Sequence, residues 1–539
     1  MIIIKKNLII INVVLLTACA QIVSPTGGER DSNPPKILKI DPLNSSVNFS
    51  TNIINITFDE FFEVINPIEN VMISPPLNNQ PEYKIKGKTL QIMFQDSLKL
   101  NTTYTIFFDN CIKDITEGNT IPVFDYFFST GSNIDSARIE GKLIDALTNL
   151  PEKNAFIMLY NNLDDSLPIT TKPLYINRTN EKGEYRFNHL IRGNYKIFAL
   201  SDKNNNLIFD QFTEKIGFLS NPITTNTSTE KIETNFSFFY QADTVQKLLK
   251  IWNKQKGITT FAFRNSTFSA DLKIIGDTDL KKSFIKETNL SGDTIILYDL
   301  DLISDTLQLA INDKYFSDTI TFTPSIEQKT IKRKNYIEPK LNCNISNANE
   351  LYKSTIITSD YPIKGFKNES FQCFKLGKDT VQIPISVNYI DSLKKILKID
   401  FQKTDRTSYN LIVNAGALLG YNNLSNDTLK QQFTVLSEDD YGNLLINAEC
   451  KSQNQFIIQL INDKENIIDE QIINNSKVLQ WRNLLPGIYK LKVIYDSNNN
   501  KKWDTGNYYY KLQPEKIIFF PTPIQIRPKW DIEENFVIE

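Results

Sequence analysis

Two loops of this chain set oxygen-bearing side chains at the spacing by which a backbone wraps a hard cation: Asp202-x-Asn204-x-Asn206-x-x-x-Asp210 and Asp496-x-Asn498-x-Asn500-x-x-x-Asp504. Oxygens at relative positions 1, 3, 5 and 9, with the carbonyl of position 7 (Ile208 or Lys502) free to join them, follow the calcium-loop pattern. Each loop departs from it twice. Position 6, a glycine in that pattern, is Leu207 or Lys501, and position 12 is Thr213 or Asn507 instead of a bidentate Glu. Glu214 and Glu515 would have to swing in from further along. With two carboxylates among the close ligands, affinity should be weak, as in extracellular modules. The same residues also suit a polar hairpin loop closed by Asx turns. Calcium is the one cofactor the sequence raises.

Other chemistry is scarce. A single histidine, His189, excludes a His-based metal triad or an H-E-x-x-H helix, and no G-x-S-x-G elbow, Walker loop or dinucleotide fingerprint is present. His189 reads as a surface turn residue. Asp59 and Glu60 are adjacent, so on a strand they point to opposite faces and do not converge as an acid and base; an acid capping a neighbouring loop explains them. Asp114-Ile115-Thr116-Glu117-Gly118-Asn119 reads as turn chemistry. Beyond Cys19, the cysteines Cys111, Cys343, Cys373 and Cys450 show no C-x-x-C spacing and read as isolated thiols. Trp503, Tyr508, Tyr509 and Tyr510 could present a sugar-binding face, or fill a core. No catalytic residue is assigned, and the chain is read as a non-enzyme.

A third pattern is Asp, then Ser or Thr, then an aliphatic residue. It places Ser97, Ser136, Ser166, Thr244, Thr294, Thr306, Thr319, Thr380, Ser392 and Thr428 in ten similar settings. The pattern resembles the O-glycosylation sequon of Bacteroidota envelope proteins, with Thr294, Thr306 and Thr319 in hairpin-like context. Equally, Asp-Ser/Thr makes a turn and the aliphatic residue opens the next strand.

The N-terminus sets the location of all this. Lys5 and Lys6 precede an apolar run, Leu8 to Leu16, that is too short to span a bilayer. Leu16-Thr17-Ala18-Cys19 matches a lipobox, so the mature chain should begin at Cys19 carrying lipid, and the membrane is a partner through that anchor. No Asp-rich run follows Ala20, which leans towards the periplasmic face of the outer membrane over the cell surface.

The elements that must hold these loops are strands. Composition, at 41% hydrophobic, 11% aromatic and 23% charged residues, suits packed domains. A net charge of −2 from 60 basic and 62 acidic residues offers no basic face, which excludes nucleic acid as a partner. Leu90, Ile92 and Phe94, and again Tyr104, Ile106 and Phe108, alternate with their neighbours at the period of half-buried strands. Helical spacing is rare, and Val245 to Trp252 is among the few short stretches that fit it. Leu190-Ile191-Arg192-Gly193-Asn194-Tyr195-Lys196 is echoed by Leu484-Leu485-Pro486-Gly487-Ile488-Tyr489-Lys490, and the match runs on through both Asp/Asn loops. Glu214-Lys215-Ile216 is answered by Glu515-Lys516-Ile517 after a small insertion, and Thr103-Tyr104-Thr105-Ile106 by Ser408-Tyr409-Asn410-Leu411. The order is A-B, a middle segment, then A-B again.

Cys19-Ala20 followed by Ser24-Pro25-Thr26-Gly27-Gly28, Asp31 and Pro34-Pro35, then Phe58-Asp59-Glu60, Ser74-Pro75-Pro76 and Phe128-Ser129-Thr130-Gly131, resembles Bacteroidota outer-membrane lipoproteins that open with a bacterial Ig-like domain of the S-layer-protein type. The B segment is similar to the carboxypeptidase-regulatory-like, prealbumin-like sandwich through Gly141-x-Leu143-x-Asp145, Thr179-x-x-x-Gly183-x-Tyr185-x-Phe187 and Leu190-x-x-Gly193-x-Tyr195. The resemblance implies a non-catalytic, envelope-associated scaffold. The expected fold is all-β: leader 1–18, tether 19–33, Ig-like sandwich 34–131, prealbumin-like sandwich 135–240, middle β-domain 244–326, second Ig-like domain 335–437 and second prealbumin-like domain 441–539. Envelope proteins or glycans are the expected partners. An accessory subunit of an outer-membrane assembly or export machine and a carbohydrate-binding or carbohydrate-processing protein are the rival readings.

Overall fold

The computed structural model describes residues 31–539 except 123, 226–230, 242–245, 256, 267–270, 276–283, 290, 301–305, 314–315, 324–339, 345–347 and 422–424. The leader, Cys19 and Thr244 therefore lie outside the described residues. What is described is all-β: the helices Pro67–Asn70 and Leu167–Thr170 are one turn each.

Alternation builds the sheets. In strand Ile53–Phe58, Ile54, Ile56 and Phe58 are fully buried while Ile53, Asn55 and Thr57 are half-exposed. Each buried side chain contributes about 1.5–3 kcal/mol by leaving water. Repeated along the chain, this pattern makes separate buried clusters. The larger ones run over residues 49–128, 137–238, 261–322, 357–435 and 444–538.

The chain divides into two compact units, the first comprising Met1–Asp145 and Leu150–Phe238, the second Ala146–Asn149 and Phe239–Glu539. In the first unit, a sheet built on Ile53–Phe58 faces another in which Thr103–Phe108 lies between Val71–Ser74 and Phe124–Ser129. The sandwich that follows is centred on Ala137–Asp145 and on Gly193–Leu200. In the second unit, Ser408–Val413 lies between Phe371–Leu376 and Leu429–Val435, the arrangement of the first sandwich repeated. Its last sandwich pairs Gly442–Cys450 with Asp531–Ile538 in parallel, as Ala137–Asp145 pairs with Lys231–Glu233 and Phe236–Tyr240.

Four buried tyrosines mark the repeat. Tyr104 and Tyr409 accept hydrogen bonds from the backbone N–H groups of Lys99 and Thr404, 2.9 and 3.0 Å away. Tyr195 and Tyr489 donate to the carbonyls of Ile191 and Leu485, each four residues upstream. A phenol thus ties the start of a central strand to the loop before it while its ring fills the core, which is why Leu-x-x-Gly-x-Tyr recurs.

Between the pairs, Leu248–Gln255 is a strand, not the short helix its spacing suggests. It pairs with Ile258–Phe263, and Leu248 and Ile251 pack on the core of that segment, so sheet pairing overrides a weak helical pattern.

Closure of the first B sandwich depends on a glycine. A Cβ on Gly141 would come within 1.7 Å of the Thr234 carbonyl oxygen, where the last strand crosses, whereas one on Gly193 meets nothing within 4 Å. Gly141→Ala should therefore lower the stability of the first unit by about 3 kcal/mol, the upper end of the usual overpacking cost, and Gly193→Ala should change it by less than about 1 kcal/mol. Denaturant unfolding of the two variants checks this; equal midpoints would contradict the account.

Candidate functional site

The two Asp/Asn loops leave the sheet in the same way. Strand Gly193–Leu200 runs into the first and Gly487–Asp496 into the second. In the first, Asp202 Oδ1 and Oδ2 accept the N–H groups of Asn206 (3.3 Å) and Leu207 (2.7 Å), and Asn206 Oδ1 accepts that of Ile208 (2.7 Å). Asn204 and Asn206 donate from Nδ2 to Asp210. In the second, Asp496 accepts from Asn500 and Lys501, Asn500 from Lys502, and Asn498 and Asn500 donate to Asp504. The structure thus brings together Asp202, Asn204, Asn206 and Asp210, and likewise Asp496, Asn498, Asn500 and Asp504.

Position 6 does without glycine. Leu207 and Lys501 adopt φ of 60° and 64°, and Asn205 and Asn499 two residues before them are also left-handed. A side chain in that region costs roughly 1 kcal/mol or more, offset here by the bonds to the loop-opening Asp. Among the described residues, no three of His, Cys, Asp or Glu gather as a ready-made metal cluster.

The glutamates complete the geometry. Glu214 is fully buried, and its Oε1 accepts from Lys203 N–H at 3.0 Å. Its Oε2 is buried without a well-formed hydrogen bond, although the Asp210 and Gln211 amides act on the same carboxyl. Burial pushes its pKa up, and the amides oppose that rise. Glu515 reaches back in the same way, accepting from Ser497 N–H at 2.7 Å and Asp504 N–H at 3.0 Å. The signal for both was the repeated Glu-Lys-Ile. Beside Glu214, Lys215 bridges Asp145 Oδ2 at 2.8 Å and Glu152, all three side chains at most 23% exposed. Sequence spacing gave no sign of this triad, because its members lie on separate elements.

The first loop lies at a junction within the first unit. Asp202 and Leu207, with Ile73, Pro76, Ile176 and Arg178, line a cleft of about 290 Å³. Arg178 stacks 4.4 Å from the Phe156 ring centroid and donates to the Glu69 carbonyl at 2.8 Å. Ile176 N–H donates to Ser74 Oγ. His189 belongs to the same junction and is not a surface turn residue. It sits at a bulge in strand Glu184–Leu190 with φ of 60°, and its ring stacks 3.8 Å from that of Phe127.

Of the Asp-Ser/Thr-aliphatic residues described, Ser97, Ser136, Ser166, Thr306, Thr319, Thr380, Ser392 and Thr428 are exposed. Thr294 is half-buried, its Oγ1 bonded to Asp293. Ala137, Leu307, Val381 and Leu429 each begin a strand, as the turn reading requires. Asp114 accepts from the N–H groups of Glu117, Gly118 and Asn119, and Asp59 caps Lys36 N–H at 2.7 Å. Cys111 and Cys373 are buried thiols whose pKa values burial pushes up to about 11 and about 12. Tyr508 is buried, whereas Tyr509 and Tyr510 are 53% and 70% exposed.

Residues 31–130 match the family model of a bacterial Ig-like domain. No curated protein matches the chain. Solved structures similar to it include the Bacillus anthracis TIE protein, at 9% identity over 96% of this chain and 76% of that one, TM-score 0.14. Others are the S-layer protein rSbsC(31-844), at 12% identity over 91% and 67%, TM-score 0.15, and BcpA, the major pilin subunit of Bacillus cereus, at 9% over 75% and 99%, TM-score 0.14.

Burial holds the pKa of His189 below its ordinary value, against the Asp135 carbonyl and Asp125. The fold therefore favours the neutral ring. That stability is complete above the unfolded pKa of about 6.5 and is lost as pH falls towards the folded value. Between pH 7.5 and 5 the melting temperature of the first unit should fall more steeply in the parent than in His189→Gln. Parallel curves would remove the effect.

Proposed function

We propose that this chain is a lipoprotein of the outer membrane, held through lipid on Cys19 with its modules on the periplasmic side, and that it works without catalysis as a structural or binding scaffold. The observation that carries this is the recurrence of two sandwich types, each with its own closed core, after a leader ending in Leu16-Thr17-Ala18-Cys19. The Ig-like match at 31–130 supports it. Self-contained sandwiches demand no chemistry to serve as a scaffold. Its partners are envelope proteins or glycans, and the exposed rings of Tyr509 and Tyr510 favour a glycan.

The anchor is tested directly. One acyl chain binds a membrane only marginally, whereas two or three hold it stably. Cys19→Ala should shift the protein from the membrane fraction to the soluble one; a variant that stays membrane-bound contradicts the anchor. Protease added to intact cells should leave the parent uncut, and digestion there would move it to the cell surface.

The exposed hydroxyls are also proposed to carry O-glycans, the turn before each strand leaving room for a bulky group. Thr306 and Thr319 rank above Thr294, whose hydroxyl is half-buried and already bonded. The natively expressed protein should have an intact mass above that of the bare lipidated polypeptide, and a mass equal to it removes the idea.

A further inference from the structure

We propose that the loop from Asp202 to Glu214 binds a calcium ion, with Glu214 supplying the carboxylate that the spacing of the loop leaves out at position 12. This goes beyond the scaffold reading and does not depend on it. The ligand set is Asp202, Asn204 and Asn206 through Oδ1, the Ile208 carbonyl, Asp210 and Glu214. That is six oxygens with three negative charges, the number and type that calcium takes.

Three features support it. A carboxylate has about four lone-pair positions, and Asp202 spends two on the N–H groups of Asn206 and Leu207, which leaves others for a cation. Asn204 presents Nδ2 to Asp210, and turning its amide over replaces a donor with an oxygen at no cost in shape; Asn206 Oδ1 accepts one N–H, from Ile208, and keeps its second lone pair for a cation. Glu214 is the independent observation. Removing a carboxylate from water without full hydrogen bonding is costly, yet this one is 0% exposed with Oε2 lacking a well-formed partner, and Oε1 is fixed to the second residue of the loop. The Asp210 and Gln211 amides act on this carboxyl without a well-formed bond to Oε2, and a divalent ion would neutralise the buried charge that they offset only in part.

The carboxylates are not already converged, so the ion must draw the loop together. Affinity should then fall in the range of about 10⁻⁴–10⁻³ M seen for extracellular modules. The second loop is a built-in comparison. Both oxygens of Glu515 are already taken by Ser497 and Asp504 N–H, so the proposal is confined to the first.

The test uses the full chain in detergent, stripped of metal with chelator, followed by thermal unfolding with and without 10 mM calcium chloride and by calorimetric titration of calcium. A ligand that binds only the folded state raises its melting temperature, here by ~3 °C for the first unit. Glu214→Gln should melt no lower than the parent in chelator, since it removes a buried charge, and should lose the calcium-dependent rise. Glu515→Gln should keep it. Should Glu214→Gln fail to fold, Asp210→Asn replaces it, with at least a tenfold loss of calcium affinity expected. Identical parent curves with and without calcium, a full rise in Glu214→Gln, unchanged affinity in Asp210→Asn, or a rise lost only in Glu515→Gln would each overturn the site.

Discussion

With almost no helix among the described residues, the backbone must close its hydrogen bonds between strands far apart in sequence, and that requirement governs the structure. Each sheet has one apolar face to bury, so sheets come in facing pairs. The first and last strands of each B sandwich lie side by side in parallel, Asn443 to Cys450 against Asp531 to Ile538 and Arg138 to Asp145 against Lys231 to Phe238. Such a module is complete only when its last strand arrives. Gly141 is the concession to that arrival, since the closing strand passes where any side chain would stand.

Much of this was legible in the sequence, and where it was not, the reason is physical. The alternation of Leu90 and Ile92 reports directly on burial because the period of a strand is two; in Thr103–Phe108 it finds the buried Tyr104, Ile106 and Phe108 but misses that Thr103 and Thr105 on the other face are buried as well, so this strand is not half-buried. Repeats are equally direct: Gly193-x-Tyr195 and Gly487-x-Tyr489 recur because the same phenol-to-carbonyl bond recurs. Val245 to Trp252 misled because a short mixed run carries little periodicity and its partner strand decides. His189 misled for another reason. Turn-like neighbours put it on the surface, whereas a bulge and a left-handed φ send its ring against Phe127, a contact across 62 residues that no local pattern encodes.

The Asp-Ser/Thr positions show how one dipeptide serves two ends. At two of them the hydroxyl faces water while the next residue points inward to start a strand, whereas Val381 starts one 54% exposed. Ala137 and Leu307 are buried while Ser136 and Thr306 beside them are exposed. Any modification that needs an exposed hydroxyl in a turn finds it there as a by-product of sandwich construction.

The glutamates carry the most about the loops. Glu214 follows Asp202 by 12 residues and Glu515 follows Asp496 by 19, yet both carboxylates accept the N–H of the second residue of the loop. In the longer copy the extra residues fold out as a small turn in which Asn507 and Leu512 exchange two backbone hydrogen bonds at 2.8 Å, and the chain returns to where it left. What the two copies share is therefore the place of the carboxylate relative to the start of the loop, not its distance along the sequence. A polar hairpin needing only Asx turns would be finished at Asp210 or Asp504. An acid held at one point in space through an insertion, and in the shorter copy fully buried there, answers to a constraint that the turns alone do not impose.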